Sequence, residues 1–112
     1  MQITARTSGN CTVLELSGKL VLGKDQIELR NAVRNATEKN PSKIILNLAK
    51  VTYVDSCGIG ELVNTYTHLK NLGANLALTD LPRKVRILLD IARLTPIFGI
   101  SNGEPEANAN FG

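Results

Sequence analysis

The chain has no tryptophan and few aromatics of any kind, two tyrosines and two phenylalanines in 112 residues. Its core must therefore be built from Leu, Ile, Val and Ala. Cysteine is scarce too. Cys11 and Cys57 form neither a Cys-x-x-Cys pair nor a zinc pattern with histidine. A disulfide framework is not expected, and two unpaired thiols suit a reducing cytosol. No apolar run approaches the roughly 18 residues of a membrane span, and the amino terminus lacks a signal peptide's apolar centre. The expectation is a cytoplasmic protein with no membrane partner. Charge of one sign is also lacking: 13 basic against 10 acidic residues leave a formal +3, with no basic run. That gives no footprint for direct nucleic-acid binding. There is no Walker-type glycine loop with lysine and no metal-ligand set, so neither cofactor nor metal is expected.

What remains is ordinary for a globular domain: 43% apolar and 21% charged residues. The length fits one domain with a real core. Residues 1–101 read as that domain. Residues 102–112 shift to Gly, Pro, Asn, Glu and Ala and read as a flexible tail.

Gln2–Thr7 alternates weakly, as an edge strand does. Ser8-Gly9-Asn10 is a turn signal, and Thr12–Gly18 alternates again, which predicts an antiparallel hairpin. Lys19–Leu22 adds a short extended piece before Gly23. From Lys24 the period changes. Leu29, Ala32, Val33 and Ala36 fall on one helical face, with Ile27 close to it, and Asn40-Pro41-Ser42 ends the pattern. Lys43–Leu48 is apolar almost without alternation, as expected of a strand covered on both faces. A second helical pattern runs from Gly58 to about Leu72, with Ile59, Leu62, Val63, Tyr66 and Leu69 on its stripe and Gly73 as its stop. Asn75–Thr79 is the next strand. Asp80-Leu81-Pro82 opens a third helix, with Pro82 in its first turn and Val85, Leu88, Leu89 and Ala92 as its buried stripe. Thr95-Pro96 stops it, and Ile97–Ile100 reads as a last short strand. The order is β-β-α-β-α-β-α with a final β. That is an α/β fold, a small mixed sheet with an antiparallel N-terminal hairpin and parallel βαβ units packed with helices.

The stretch that carries chemistry is Val51 to Leu62, with Asp55-Ser56-Cys57-Gly58-Ile59-Gly60 at its centre. It joins the buried strand to the second helix. Asp55 and Ser56 therefore fall at the carboxyl end of a strand, the edge where open α/β sheets meet their ligands. A helix start carries unpaired N–H groups and partial positive charge, so a serine phosphate there would find donors. Gly58 and Gly60 present no side chain to a partner approaching the serine. Two glycines in a first turn are not explained by helix formation, where each costs about 1 kcal/mol against Ala.

Tyr53-Val54-Asp55-Ser56-Cys57-Gly58-Ile59-Gly60, with weaker support from Leu16-Ser17-Gly18-Lys19-Leu20 and Leu46-Asn47-Leu48, resembles the anti-sigma factor antagonists, single-domain members of the STAS family. The resemblance covers roughly Gln2 to Ile100. It implies a switch protein and not a catalyst. By the family pattern Ser56 is the phosphorylation site. The kinase is itself the anti-sigma factor, which the unmodified form binds and the phosphorylated form releases, freeing or returning a sigma factor. A PP2C-type phosphatase resets the switch. Asp55, Ser56, Cys57, Gly58, Ile59 and Gly60, with Lys19, Val21 and Asp25 from the preceding loop, are the implied partner-binding residues. The chain departs from the pattern at two of them. Cys57 replaces a second Ser or Thr. Val21 stands where many members carry an acidic residue, and Asp25 lies close enough to substitute for it.

Plainer readings stand beside these. Ser56 or Asp55 could serve as the helix N-cap. Cys57 reads as a small buried residue in preference to a redox-sensitive thiol. Tyr66 reads as core, and Lys84 and Arg86 as a solvated face in preference to a contact for an acidic partner. A hydrolase with Ser56 or Cys57 as nucleophile needs a base, and the lone His68 sits about 18 Å along the same helix at 1.5 Å per residue. A third alternative is a STAS-fold scaffold or small-ligand-binding domain without a phosphoswitch.

Overall fold

The computed structural model describes residues 1–8, 11–39 and 43–101. Five strands and three helices follow in the order β1 (Gln2–Ser8), β2 (Cys11–Leu20), α1 (Lys24–Lys39), β3 (Lys43–Val54), α2 (Ser56–Asn71), β4 (Asn75–Thr79), α3 (Arg83–Ile91) and β5 (Gly99–Ser101). They form one five-stranded sheet in the sequential order β1-β2-β3-β4-β5. β1 and β2 pair antiparallel, and every other neighbouring pair is parallel. This is the mixed sheet that the alternation of patterns predicts. The expected stop at Asn40-Pro41-Ser42 and the tail 102–112 lie outside the described residues, as do Gly9 and Asn10 of the first turn.

Alternation sorts the sheet into two faces. Leu14, Leu16, Ile44, Leu46, Leu76 and Leu78 join the main core, where Leu29, Val33, Leu62, Leu69, Val85 and Leu89 of the helices meet them. Cys11, Val13, Ile45 and Ala77 form a second buried group on the other side. Ile44, Ile45 and Leu46 are thus all buried, as a strand covered on both faces requires. Each buried leucine contributes about 1.5–3 kcal/mol.

β3 runs six residues past the expected Leu48, and the reason is visible in its register. β2 advances from Glu15 to Lys19 while β3 advances from Asn47 to Tyr53, with shifts between Glu15 and Ser17 and between Gly18 and Lys19. Bulges of this kind break the two-residue period. Burial then falls on Leu48, Val51 and Val54, every third residue. A reader of alternation sees no strand there.

Two stripes also differ from expectation. Ile27 is 54% exposed, on the solvent side of α1. In α3 only Val85 and Leu89 are buried, while Leu88 and Ala92 of the expected stripe are exposed. Nine residues are too short a helix to bury a stripe out to Ala92, which is already its C-cap.

Candidate functional site

β3 ends at Val54, and α2 begins at Ser56. Between them Asp55, in extended conformation (φ −93°, ψ −178°), is the N-cap. Its Oδ1 accepts from the Gly58 backbone N–H at 2.7 Å. The cap is thus the aspartate and not the serine. Ser56 takes the first helical position and is exposed. Of the N–H groups expected to await a phosphate, Gly58's is already committed to a carboxylate. Any charge added to Ser56 lands beside that carboxylate.

Asp55 does a second job. Its Oδ2 accepts from the Leu22 N–H at 3.1 Å, and its own N–H donates to the Leu20 carbonyl at 3.3 Å. The β2–α1 turn, residues 21–23, is therefore tied to the start of α2. Gln26 adds to the tie. Its Oε1 accepts from the Gly23 N–H at 3.0 Å, and its Nε2 donates to the Cys57 carbonyl at 3.2 Å.

The two glycines of the motif have different explanations. A Cβ on Gly58 would strike the Leu20 carbonyl oxygen and lie 2.8 Å from Val54 Cγ1. Only glycine lets α2 start this close to the end of β2. A Cβ on Gly60 would meet nothing within 4 Å. Packing accounts for the first glycine, and nothing within the chain requires the second.

The other sequence-predicted residues gather at the same sheet edge. Lys19 is exposed and pairs across the sheet with Tyr53. Val21 and Cys57 are half-buried, and Ile59 packs partly against the core. Asp25 is turned inward. Its Oδ2 accepts from the Val21 N–H at 3.3 Å, and its Oδ1 meets the Met1 ammonium at 3.1 Å, with 13% of the side chain exposed. As a surface acid it is a poor stand-in for the one that Val21 displaces. Lys84 and Arg86 are exposed on α3. His68 is exposed on α2, 12 residues beyond Ser56, about 18 Å away along the helix. Serine and histidine do not form a nucleophile–base pair.

Sequence reasoning missed three features of this region. The first is an apolar trough beside Ser56, ≈ 530 Å³ in volume, lined by Tyr53, Ile59, Leu88 and Ile91 as well as by Asp55 and Ser56. Ile91 is 75% exposed and Tyr53 54%. These are large apolar side chains left in solvent next to Ser56. The available signal was the surplus in Arg83–Ile91, where Val85, Ile87, Leu88, Leu89 and Ile91 exceed what one face of a nine-residue helix can bury. The second is Leu22, 69% exposed at the tip of the turn. The third is Glu61, buried to 1% and paired with Arg30 of α1 (Oε1–Nη2 2.7 Å, Oε2–Nε 3.4 Å). The hydrogen bond to Glu61, and then its charge, push the Arg30 guanidinium above its ordinary value. The pair fixes α1 against α2, behind the site. Among the described residues no helix is long and apolar enough to cross a membrane.

The model of the STAS domain family matches residues 2–107. An anti-sigma-B factor antagonist of Listeria monocytogenes is 34% identical over 65 residues, 58% of this chain and 57% of that protein. The chain thus matches little more than half the length of that relative. Among solved structures, the Thermotoga maritima protein tm1081 superposes with a TM-score of 0.87 at 23% identity, over 97% of this chain and 93% of that one. The Bacillus cell fate determinant SpoIIAA in its phosphorylated form gives a TM-score of 0.73 at 18% identity, over 99% of this chain and 100% of that one. At such identities the likeness is one of fold.

Proposed function

The chain belongs to the STAS domain family, and from that premise we propose that it is an anti-sigma factor antagonist that binds an anti-sigma factor while Ser56 is unmodified and releases it once Ser56 carries a phosphate. The partner is an anti-sigma factor with serine kinase activity, and a PP2C-type phosphatase restores the free hydroxyl. Binding frees a sigma factor. The protein acts as a switch and supplies no catalytic group of its own.

One observation carries this reading. Ser56 stands exposed on the rim of an apolar trough, next to a carboxylate that already caps the helix. Tyr53, Leu88 and Ile91 supply the apolar contact area, and open space at Gly60 lets a partner's backbone come close. A phosphate adds about −1.5 to −2 charges at that rim. In a closed interface this charge would be desolvated beside Asp55, which costs several kcal/mol. A penalty near 4 kcal/mol weakens binding about a thousandfold. No change of fold is needed. The name of the Listeria relative and the phosphorylated SpoIIAA neighbour support the same reading.

The test is chemical. Incubation with the cognate anti-sigma kinase and ATP is expected to give a single phosphate that mass spectrometry maps to Ser56 and that Ser56→Ala abolishes. Modification mapped elsewhere, or persisting in Ser56→Ala, contradicts the reading.

A further inference from the structure

The turn between β2 and α1 consists of Val21, Leu22 and Gly23. Each of its three consecutive N–H groups is held by a different side chain: Val21 by Asp25 at 3.3 Å, Leu22 by Asp55 at 3.1 Å and Gly23 by Gln26 at 3.0 Å. Two of those side chains also hold the start of α2. Asp55 accepts from Gly58 with its other oxygen, and Gln26 donates to the Cys57 carbonyl. The turn nevertheless presents a leucine that is 69% exposed. An exposed leucine on so short a turn contributes little burial, yet all three N–H groups of the turn are bonded to side chains.

We propose that Asp55 and Gln26 latch the β2–α1 turn onto the first turn of α2, so that Leu22 and Ser56 meet a partner as one preformed surface. Both are positioning residues. Asp55 uses one carboxylate as two acceptors, one for each segment. Gln26 uses one amide as an acceptor and a donor, again one for each segment. A turn fixed before docking does not pay its ordering cost at the moment of binding. Leu22 then adds an apolar anchor on the opposite side of Ser56's turn from the α3 trough. That Leu22 touches the partner rests on the proposed function; the latch itself does not.

Asp55→Asn separates the two duties. An amide oxygen can still cap Gly58, but its NH₂ would face the Leu22 N–H, donor against donor. Gln26→Leu removes the second tie and leaves the helix cap intact. Amide hydrogen exchange on the ¹⁵N-labelled full chain reads both. Leu22 is expected to exchange about tenfold or more faster in Asp55→Asn, and Gly23 likewise in Gln26→Leu, the fold-change of a lost hydrogen bond to a charged or well-placed acceptor. If Leu22 and Gly23 exchange at unprotected rates in the wild type, or at unchanged rates in both variants, there is no latch. Binding to the cognate anti-sigma factor tests the second half. Leu22→Ala is expected to weaken it about tenfold in the wild-type background, and less than twofold once Asp55→Asn has freed the turn. Equal losses in both backgrounds overturn the preformed surface. If neither Leu22→Ala nor Ser56→Glu alters binding, the docking face is misassigned, while the exchange data still decide the latch.

Discussion

Two helices leave the same edge of the sheet, α2 after β3 and α3 after β4, and they differ in how they start, in the residue that closes them and in how much they bury. α2 has an aspartate N-cap with a side-chain bond to Gly58. Its far end closes with Ala74 N–H to Leu69 O at 2.8 Å and Gly73 N–H to Lys70 O at 3.0 Å, around a glycine at φ +75°. That is a Schellman close with the residue it favours. α3 has Pro82 at its N-cap with no side-chain bond. It closes the same way, Leu94 to Leu89 at 2.9 Å and Arg93 to Asp90 at 3.1 Å, but around an arginine at φ +58°. α2 also buries Gly58, Glu61, Leu62, Thr65 and Leu69, whereas α3 buries only Val85 and Leu89. The difference suggests a division of labour. Under the proposed function, α2 holds the acceptor serine in a fixed place, and α3 offers the apolar side chains that the partner covers.

Substitutions can break this contrast. The largest effect is expected at Gly58. Gly58→Ala forces a methyl into the Leu20 carbonyl and should destabilise the fold by about 3 kcal/mol, the upper range for overpacking, read as a fall in the urea midpoint. Gly60→Ala, two residues on and in open space, should instead hold or raise stability, by up to about 1 kcal/mol. Equal losses at both glycines would remove the distinction between them. Next comes Ile91→Asp. It is expected to leave the thermal midpoint within a few degrees, because the side chain is exposed, and to weaken anti-sigma factor binding by roughly 10–100-fold, as loss of a central apolar anchor does. Unchanged affinity by calorimetry would mean that α3's apolar surface serves no partner at this site. A smaller gain is expected from Arg93→Gly. Relief of a left-handed non-glycine residue should stabilise the chain by about 1 kcal/mol and raise the thermal midpoint by a few degrees. The smallest effect concerns pH. Burial pushes the Cys11 thiol above its ordinary value, with Lys43 drawing it partly back. A raised thiol favours the folded state while neutral. That contribution is complete below the thiol's unfolded value and is lost as pH rises through the folded one. Cys11→Ala should therefore flatten the alkaline limb of the stability curve.

The same contrast explains what could be read from the sequence. Elements with a clean period were legible. Leu29, Val33 and Ala36 in α1, Leu62 and Leu69 in α2, and the buried run Ile44–Leu46 fall where their spacing puts them. The Asp55–Ser56 junction was legible because an Asp-Ser-x-Gly-x-Gly motif falls between the buried strand pattern that ends at Leu48 and the helical one that begins at Gly58. The remainder was hidden for physical reasons. Bulges opposite Glu15–Lys19 turn β3's period into three. A nine-residue helix cannot show whether Leu88 faces the core or the solvent. The bonds from Asp55 to Leu22 and from Gln26 to Cys57 span 33 and 31 residues, a separation no local pattern reports. Asp25 looked available as a surface acid because its partners, the Val21 N–H and the Met1 ammonium, are backbone groups that leave no mark on side-chain pattern.

The central claim is that negative charge on the Ser56 hydroxyl governs docking. It is tested most directly by titrating the cognate anti-sigma factor with the unmodified chain and with the chain carrying one phosphate at Ser56, in the same buffer and salt. The account predicts tight binding of the first and an affinity lower by about a thousandfold for the second. Matching affinities for the two forms would contradict it.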